Sequence, residues 1–392
     1  MLNSAVIRFY SLLVLLYFSD MVLLLSNIWN SLKVTSSPLF LGVTLSVGTA
    51  LPFLLRKLNI NKVKKFITVS DLYKRRIIVY LILLVTALLH YSDSKFGFII
   101  TSLSIGYLSL ITLSTLESSN AKLVLDGHIS SQRASRVMQT LVQIGSFFGA
   151  LSSGYFLTKL DYNQLIMLLC AFDILVSLFG NRLYKEKAAA DDNHSDHQVA
   201  DDEGVLSNKL KYLSIAIGLI GLHICAFNTL TPILFQNVKN LTADYYGVCS
   251  GVAGVGAFLA AFVNLNKFRL LLPSITLTLS DAIFTLSSIP LVSVVVCFLI
   301  GFSLNTIRIN LRKDMIDETT NFHEANAVAK FSATIYTFSQ SIGPLTFGIL
   351  TSSLFFGVDS SAYLFPFVGA SMFIFILSSQ QGKKVKCQKT QL

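Results

Sequence analysis

The sequence predicts an all-α polytopic membrane protein with twelve transmembrane helices, and three observations support that fold class. Of the 392 residues, 53% are hydrophobic and only 13% are charged, whereas soluble domains carry about 25% charged residues. The apolar residues are gathered into runs of about 20, the length that a helix needs to cross a bilayer. The basic residues lie between these runs and concentrate in every second loop.

Each apolar run is predicted to form one helix, because backbone groups within lipid must be hydrogen-bonded inside their own segment. The strict alternation of apolar and polar residues that is typical of transmembrane barrels is not found in the sequence. The twelve runs lie at 9–31, 37–55, 66–91, 96–117, 137–159, 163–181, 211–236, 244–265, 270–288, 290–309, 327–356 and 361–379.

The distribution of Lys and Arg predicts the orientation of these helices. With the N-terminus in the cytoplasm, the outer loops contain only Lys33, Lys95, Lys159 and Lys239, and the other 27 of the 31 basic residues fall on the inner side. This asymmetry follows the positive-inside rule and predicts that both termini are cytoplasmic. The net charge of +10 therefore serves topology, and no nucleic-acid partner is expected. The short loops favour a bacterial inner membrane.

A polar stretch divides the chain into two halves of six runs. We predict an N-terminal bundle at 1–182, a cytoplasmic linker at 183–210, a C-terminal bundle at 211–380 and a basic cytoplasmic tail at 381–392. The linker is rich in Asp, and such a charge run is typical of a solvated, flexible segment.

The two halves share a weak internal repeat, which suggests the parallel six-helix repeats of one known transporter plan. The recurring segments follow the same order in both halves: Gly42-Val43 as Gly247-Val248 and 59–62 as 264–267 at an offset of 205, then Gly149 and Gly154 as Gly343 and Gly348 at an offset of 194.

Ionisable side chains at membrane depth are costly, so each is a candidate functional residue. Asp20 is in the middle of the first run, and Asn27 lies two turns further along the same face. This stripe predicts either a substrate or proton site facing a central cavity, or a structural hydrogen bond between helices. Desolvation disfavours the charged carboxylate, so Asp20 could couple transport to protons. His223, with Asn228 nearby in the seventh run, is either a second proton carrier or a structural group.

The tenth run carries Asn305 and Arg308 on one face. Arg308 could bind a substrate carboxylate bidentately, close a cytoplasmic gate with Glu117 of the fourth run, or anchor the helix at the membrane surface. Asp173 and Asp281 are predicted to be structural, because their helices are expected to be peripheral. Polar residues of the fifth and eleventh runs are further candidates for lining a cavity: Gln139, Gln143, Tyr336 and Gln340.

Three sequence motifs point to a known family. The basic loop 56–65 ends in a lysine cluster similar to a transporter gating motif, 145–154 (GSFFGALSSG) is similar to an antiporter motif without its proline, and 343–348 (GPLTFG) is a Gly-Pro version. Together with the two halves, these motifs resemble the major facilitator superfamily over the whole chain, and its drug and siderophore exporters in particular. The resemblance implies two pseudo-symmetric six-helix bundles working by alternating access. It also implies a gating role for five residues: Lys62, Lys64, Lys65, Asp71 and Arg75.

The sequence contains no P-loop and no arrangement of a nucleophile with its base. We therefore expect neither an ATP-driven pump nor an enzyme, and neither a cofactor nor a bound metal. The leading hypothesis is a monomeric, proton-coupled exporter of a small organic molecule such as a drug, a metabolite or a siderophore-type chelator. The alternatives are uptake of a nutrient or siderophore by the same fold, and a membrane receptor or scaffold without transport activity.

Overall fold

A computed structural model describes residues 4–57, 68–125, 131–185, 206–263, 270–319 and 322–389. Those residues form twelve α-helices and contain no β-strand. The helices are α1 (Ser4–Thr35), α2 (Pro38–Lys57), α3 (Val69–Leu88), α4 (Lys95–Leu125), α5 (Ser131–Lys159), α6 (Tyr162–Lys185), α7 (Asn208–Ile233), α8 (Ala243–Leu259), α9 (Leu271–Leu286), α10 (Pro290–Glu318), α11 (Phe322–Leu350) and α12 (Ser361–Lys389). The predicted all-α fold, with one helix for each apolar run, is confirmed.

Several helices end at other residues than the apolar runs do. α10 continues to Glu318, well beyond the last apolar residue of its run, because Lys, Arg, Asp and Glu continue a helix once its hydrogen bonds are established. The eleventh run was expected to reach 356, but α11 ends at Leu350. Turns follow it, and Gly357 adopts φ +77°, a left-handed conformation that a residue without a Cβ adopts readily.

Eight of the described helices are long and apolar enough to cross a membrane: α1, α2, α4, α6, α7, α8, α10 and α12. The helices outside this set are α3, α5, α9 and α11, which hold the third and fifth positions of each half. α9 is apolar but has only 16 residues, and α3 contains four charged side chains in its first two turns. The two halves therefore place their shorter or more polar helices at equivalent positions.

The helices form two compact units. Unit 1 consists of Met1–Ser36 and Val47–Gln198, and unit 2 of Ser37–Ser46 and Val199–Leu392. The start of α2 thus groups with unit 2, where the Leu345 N–H of α11 donates to Ser46 Oγ at 2.9 Å. The sequence-based division at 183–210 differs from this spatial grouping, and the predicted linker boundaries stay a prediction. The lysine cluster of the gating motif lies outside the described residues.

The two units repeat the same helix contacts. α1 packs on α5 and α3 on α6 in unit 1, and α7 packs on α11 and α9 on α12 in unit 2. A close crossing of backbones is repeated as well. A Cβ added to Gly106 of α4 would overlap the Gly48 carbonyl oxygen, and one added to Gly301 of α10 would overlap the Ala253 carbonyl oxygen. Ala253 follows Gly48 by 205 positions, the offset of the sequence repeat, so the structure extends that repeat.

We expect Gly301→Ala to destabilise the protein, because its methyl group would overlap backbone atoms of α8 rather than a movable side chain. Overpacking of this kind typically costs about 1–3 kcal/mol, and Gly301→Val should cost more. Thermal unfolding of the purified protein in detergent checks this. Val295→Leu is the matched control, because Val295 is an exposed residue of the same helix. Equal unfolding temperatures for Gly301→Val and the control would contradict the prediction.

Candidate functional site

An arginine of α3 binds two carboxylates within unit 1. Arg76 Nη2 is 2.7 Å from Asp20 Oδ1 on α1 and 2.6 Å from Asp173 Oδ2 on α6. Its Nη1 also donates to Asp20 Oδ2 at 3.0 Å, and its Nε donates to Asp173 Oδ1 at 3.2 Å. Both contacts are therefore bidentate, the strongest geometry for such a pair. We call Asp20, Arg76 and Asp173 the triad.

Hydroxyl groups complete the hydrogen bonding of the triad. Arg76 Nη1 donates to Thr112 Oγ1 of α4 at 3.0 Å, so each of the five guanidinium N–H groups has an acceptor. Ser19 and Ser177 donate to the Asp173 carboxylate at 2.6 Å and 3.2 Å. Tyr80 OH donates to Asp20 Oδ1 at 3.3 Å. The side chains that support the triad thus come from α1, α3, α4 and α6.

The triad has an unequal charge count. Two ionised carboxylates and one guanidinium carry a net charge of −1, and one added proton makes the group neutral. Net charge is costly in a low-dielectric interior, so binding of one proton to the triad is energetically favoured. The side chain of Asp173 is fully buried, whereas that of Asp20 is 15% exposed. Asp20 is therefore the carboxylate at which a proton can enter or leave.

Arg76 is a candidate functional residue that the sequence patterns did not single out. It is the last of three successive basic residues, 74–76, and was grouped with the topological charges. The helical spacing could have identified Arg76, because Tyr73, Arg76, Tyr80 and Leu83 recur every three or four positions along one face. In the structure all four side chains are fully buried. Its two neighbours point elsewhere: Lys74 lies 3.8 Å from the exposed Asp71, and Arg75 Nη1 donates to Tyr107 OH at 3.2 Å.

The other predicted residues of unit 1 are separate from the triad. Asn27 is 1% exposed; its Nδ2 donates to Ser102 Oγ at 2.8 Å, and Tyr162 OH donates to its Oδ1 at 2.9 Å. Asn27 therefore connects α1, α4 and α6 instead of extending an open stripe from Asp20. Glu117 is exposed, Gln143 is half-buried, and the Gln139 side chain lies outside the described residues. Their roles along a substrate pathway stay a prediction.

Unit 2 contains a second buried pair, between α7 and α9. His223 Nε2 lies 2.8 Å from Asp281 Oδ2, and both side chains are fully buried. In the described part of the chain, His223 Nδ1 and Asp281 Oδ1 have no hydrogen-bond partner. The Phe365 ring of α12 lies beside the imidazole, with centroids 5.3 Å apart. Asn228, also on α7, is half-buried and was predicted beside His223 only from sequence spacing.

A guanidinium without a carboxylate characterises the other candidate face of unit 2. Arg308 lies over the Tyr336 ring of α11, with Cζ 5.5 Å from the ring centre, and its buried Nε has no acceptor among the described residues. Gln340 Nε2 donates to Tyr336 OH at 3.1 Å. Asn305 instead donates to the Ala257 carbonyl oxygen at 2.6 Å, a helix-to-helix contact. The gate predicted between Arg308 and Glu117 joins residues of different units and stays a prediction.

Comparisons with known proteins find this fold among solved transporters. The nucleoside transporter NupG matches with a TM-score of 0.74 at 12% identity, over 96% of this chain and 99% of that chain. A bacterial homologue of the iron transporter ferroportin, in an inward-facing state, matches with a TM-score of 0.71 at 11% identity, over 95% and 98%. A bacterial homologue of the human lysosomal transporter Spinster matches with a TM-score of 0.67 at 9% identity, over 97% and 96%.

No family model matches the sequence, and no curated protein matches it. At these identities the solved structures show a common fold and no more. None of the three is named as a drug or siderophore exporter, so the resemblance to that branch stays a prediction.

Replacing Arg76 should destabilise unit 1 strongly. Arg76→Met leaves two facing carboxylates buried without a cation, and breaking a buried pair in this way typically costs about 3–5 kcal/mol. The loss should shrink as the pH falls, because protonation neutralises the carboxylates. Thermal unfolding followed by fluorescence of Trp29, the only tryptophan, measures it at several pH values. Arg75→Met is the control, and the prediction is wrong if the two variants unfold at the same temperature at high pH.

Proposed function

We propose that this chain is a secondary active transporter that carries a small organic molecule across the membrane by alternating access, coupled to protons at Asp20. The observation that carries this proposal is the triad, with its two carboxylates around one guanidinium. The shared fold with transporters of nucleosides and iron supports the transport function. Because those cargoes differ chemically, the fold does not specify a substrate. The transporter would act as a monomer in the bilayer, without a cofactor.

Protonation of Asp20 would change how α1 is held. The ionised carboxylate binds Arg76 with two charge-assisted hydrogen bonds, which are stronger than neutral ones. A protonated Asp20 loses its charge attraction to Arg76, while Asp173 remains to neutralise the guanidinium. The contact between α1 and α3 is thereby weakened without leaving an unpaired charge. A proton can thus bias the position of α1, which is what coupling to a conformational change requires.

Export is the direction that the motifs favour. The antiporter-like segment 145–154 lies on α5, and its Gly149 packs against α1, where a Cβ would lie 2.6 Å from the Phe18 carbonyl oxygen and 2.8 Å from Met21 Cβ. These two residues flank Asp20. The motif that resembles the exporters thus contacts the helix that bears the proposed proton site. Uptake of a nutrient or siderophore by the same fold is the second candidate, and a receptor or scaffold role would show no flux at all.

The environment of Arg308 favours a substrate with an anionic group. Its guanidinium has no carboxylate within 4 Å in the described part of the chain, and its Nε is unpaired. A cation at membrane depth that lacks an internal counter-charge is well suited to a carboxylate or similar anion, which it can bind bidentately. Tyr336 holds the guanidinium from one side and would fix its orientation.

Asp20→Asn should uncouple transport from protons. In proteoliposomes we expect proton-driven movement to fall at least about tenfold, equivalent to about 1.4 kcal/mol, while exchange of substrate across the membrane persists, because the amide keeps the size of the side chain. The probes are ethidium, uridine, citrate and ferrous iron, and a trapped pH-sensitive dye records proton movement.

Asp161→Asn is the control for this experiment, since Asp161 is an exposed acid of unit 1. Unchanged proton-driven transport in Asp20→Asn would remove Asp20 from the mechanism. The sign of the flux in right-side-out and inverted vesicles decides between export and uptake. No flux of any probe in wild-type vesicles, together with co-purification of a partner protein, would favour the receptor or scaffold role.

Arg308→Gln should weaken transport of an anionic probe selectively. Hydrogen bonds to charged groups contribute about 1.5–3 kcal/mol, so we expect KM for citrate to rise about tenfold or more and KM for uridine to change little. Arg308→Lys should retain part of the affinity, because the charge remains but the bidentate geometry is lost. Lys313→Gln, an exposed position of the same helix, is the control. An equal effect on both probes would contradict an anion-binding role.

A further inference from the structure

The His223–Asp281 pair of unit 2 lacks the hydrogen bonding that stabilises the triad. Each Asp173 oxygen accepts bonds from both Arg76 and a serine. The ionised Asp281 instead has one bond, from His223, and its Oδ1 has no partner among the described residues. A buried carboxylate with a single hydrogen bond is strongly disfavoured relative to its neutral form. The pair is therefore poorly stabilised as long as it carries a net charge.

One proton would remove this imbalance. With a neutral imidazole and an ionised carboxylate the pair carries a charge of −1, and one proton from solution makes it neutral. Two atoms can accept that proton, the unpaired His223 Nδ1 and the unpaired Asp281 Oδ1. The first gives an imidazolium–carboxylate pair, and the second gives a carboxylic acid beside a neutral imidazole. The triad and the pair thus have the same charge count, each being one proton short of neutrality.

The pair occupies the place in unit 2 that the triad occupies in unit 1. The triad lies on α1, α3 and α6, and the pair lies on α7 and α9 beside α12, the equivalent helices of the second half. Asp281 follows Arg76 by 205 positions, which is the offset of the internal repeat. On α12, Gly369 lies against the pair, and a Cβ there would overlap Asp281 Oδ2. In unit 1, α6 contributes a second acid, Asp173, whereas in unit 2 α12 contributes only Gly369 and Phe365.

The described residues that contact the pair carry no compensating charge. On α12, Phe365 and Gly369 face it. On α10, Cys297 interacts electrostatically with Asp281. Among the described residues, further titratable groups near the pair are Cys249, which contacts Cys297, Cys225 on α7, and Tyr336 on α11. Tyr336 packs against Gly221, about half a turn from His223.

Aromatic rings connect the pair to one described cation, Lys239. Lys239 follows the π-helical turn Leu234–Val238 that ends α7, and its ammonium lies 4.5 Å from the centre of the Phe284 ring. Burial lowers the pKa of Lys239. Phe284 in turn packs on Phe365, with centroids 5.6 Å apart, and Phe365 covers His223. The rings therefore stand between the ammonium and the imidazole.

We propose that His223 and Asp281 form a second proton-binding site, confined to unit 2, which binds one proton in addition to the proton bound at Asp20. The alternative is a purely structural tie between α7 and α9 that keeps one protonation state at all accessible pH values. The inference rests on the proposed transport function only for its role in coupling, because proton binding itself can be measured without a substrate.

The first experiment is infrared difference spectroscopy of the full-length protein in detergent, recorded between acidic and alkaline pH. In an Asp20→Asn background the triad acid is silent, and we expect carboxyl or imidazole bands of the pair to remain in the difference spectrum. Those bands should disappear in Asp281→Asn and change in His223→Gln, which keeps a donor for Asp281. Asp359→Asn, at an exposed acid of unit 2, is the control and should leave them unchanged.

A second experiment measures protons moved per substrate with the trapped dye, using whichever of the four probes the wild-type protein transports. We expect His223→Gln and Asp281→Asn to halve this ratio while the Asp20 carboxylate still supports coupled movement. If a single variant does not fold, His223→Leu/Asp281→Leu replaces the pair with apolar side chains of similar volume, which buried ion pairs often tolerate, and it should show the same loss.

The outcomes separate the inference from the proposed function. Difference spectra of the pair variants identical to those of Asp359→Asn would overturn the second site while leaving transport at Asp20 intact. An unchanged proton ratio would overturn the role of the pair in coupling. Bands that depend on His223 and Asp281 without flux of any probe would support the site and count against the transporter. Both results together, a spectroscopic change and a halved ratio, support the proposal in full.

Discussion

Unit 1 is organised around a fully buried guanidinium, because each unpaired N–H group in an apolar interior costs free energy. Arg76 pairs these groups with acceptors from α1, α4 and α6. Because an unpaired polar group in a low-dielectric interior costs several kcal/mol, the positions of these three helices around α3 are tied to one side chain. The arginine also explains why α3, the most highly charged of the helices near its start, can pack inside an apolar bundle.

Under the proposed function, the same network that stabilises the unit would also respond to protons. Asp20 is held bidentately, yet it is the most exposed member of the triad. Its partner Asp173 is fully hydrogen-bonded and would keep Arg76 neutralised if Asp20 bound a proton. Under the proposed function, Asp173 would provide stability and Asp20 would provide switching. The charge of Asp20 could then change without unfolding its surroundings, which a proton-coupled carrier requires.

The two units use one scaffold with different side chains. Both place buried charges on their first and third helix, and both bring two helices together at a carbonyl–glycine crossing. On the first, third and sixth helix, unit 1 has an acid, a base and an acid, whereas unit 2 has a base, an acid and a glycine. A backbone repeated in this way keeps equivalent locations buried, while the residues at those locations determine how many protons and which counter-charges each unit can hold.

The sequence by itself determined the positions of the helices and identified ionisable residues within apolar runs that need partners. Apolar runs predicted all twelve helices, since lipid demands about 20 apolar residues and internal backbone pairing. Mid-run position alone identified Asp20 and His223 as residues in need of partners. The sequence also contains the repeat offset of 205 positions. Only the structure showed that Arg76 and Asp281, and likewise Gly48 and Ala253, are pairs of equivalent positions in the two units.

Only the tertiary structure decided which side chains meet. Arg76 and Asp173 are 97 positions apart, and His223 and Asp281 are 58 apart, so no local pattern links them. Arg76 was hidden in a run of basic residues, because composition cannot tell which one faces inward and helix packing can. Asp173 was predicted to be a structural residue, because the sequence does not show that it pairs with an arginine of another helix. Periodicity specifies helices one at a time, whereas a charged site in a membrane bundle is assembled from several of them.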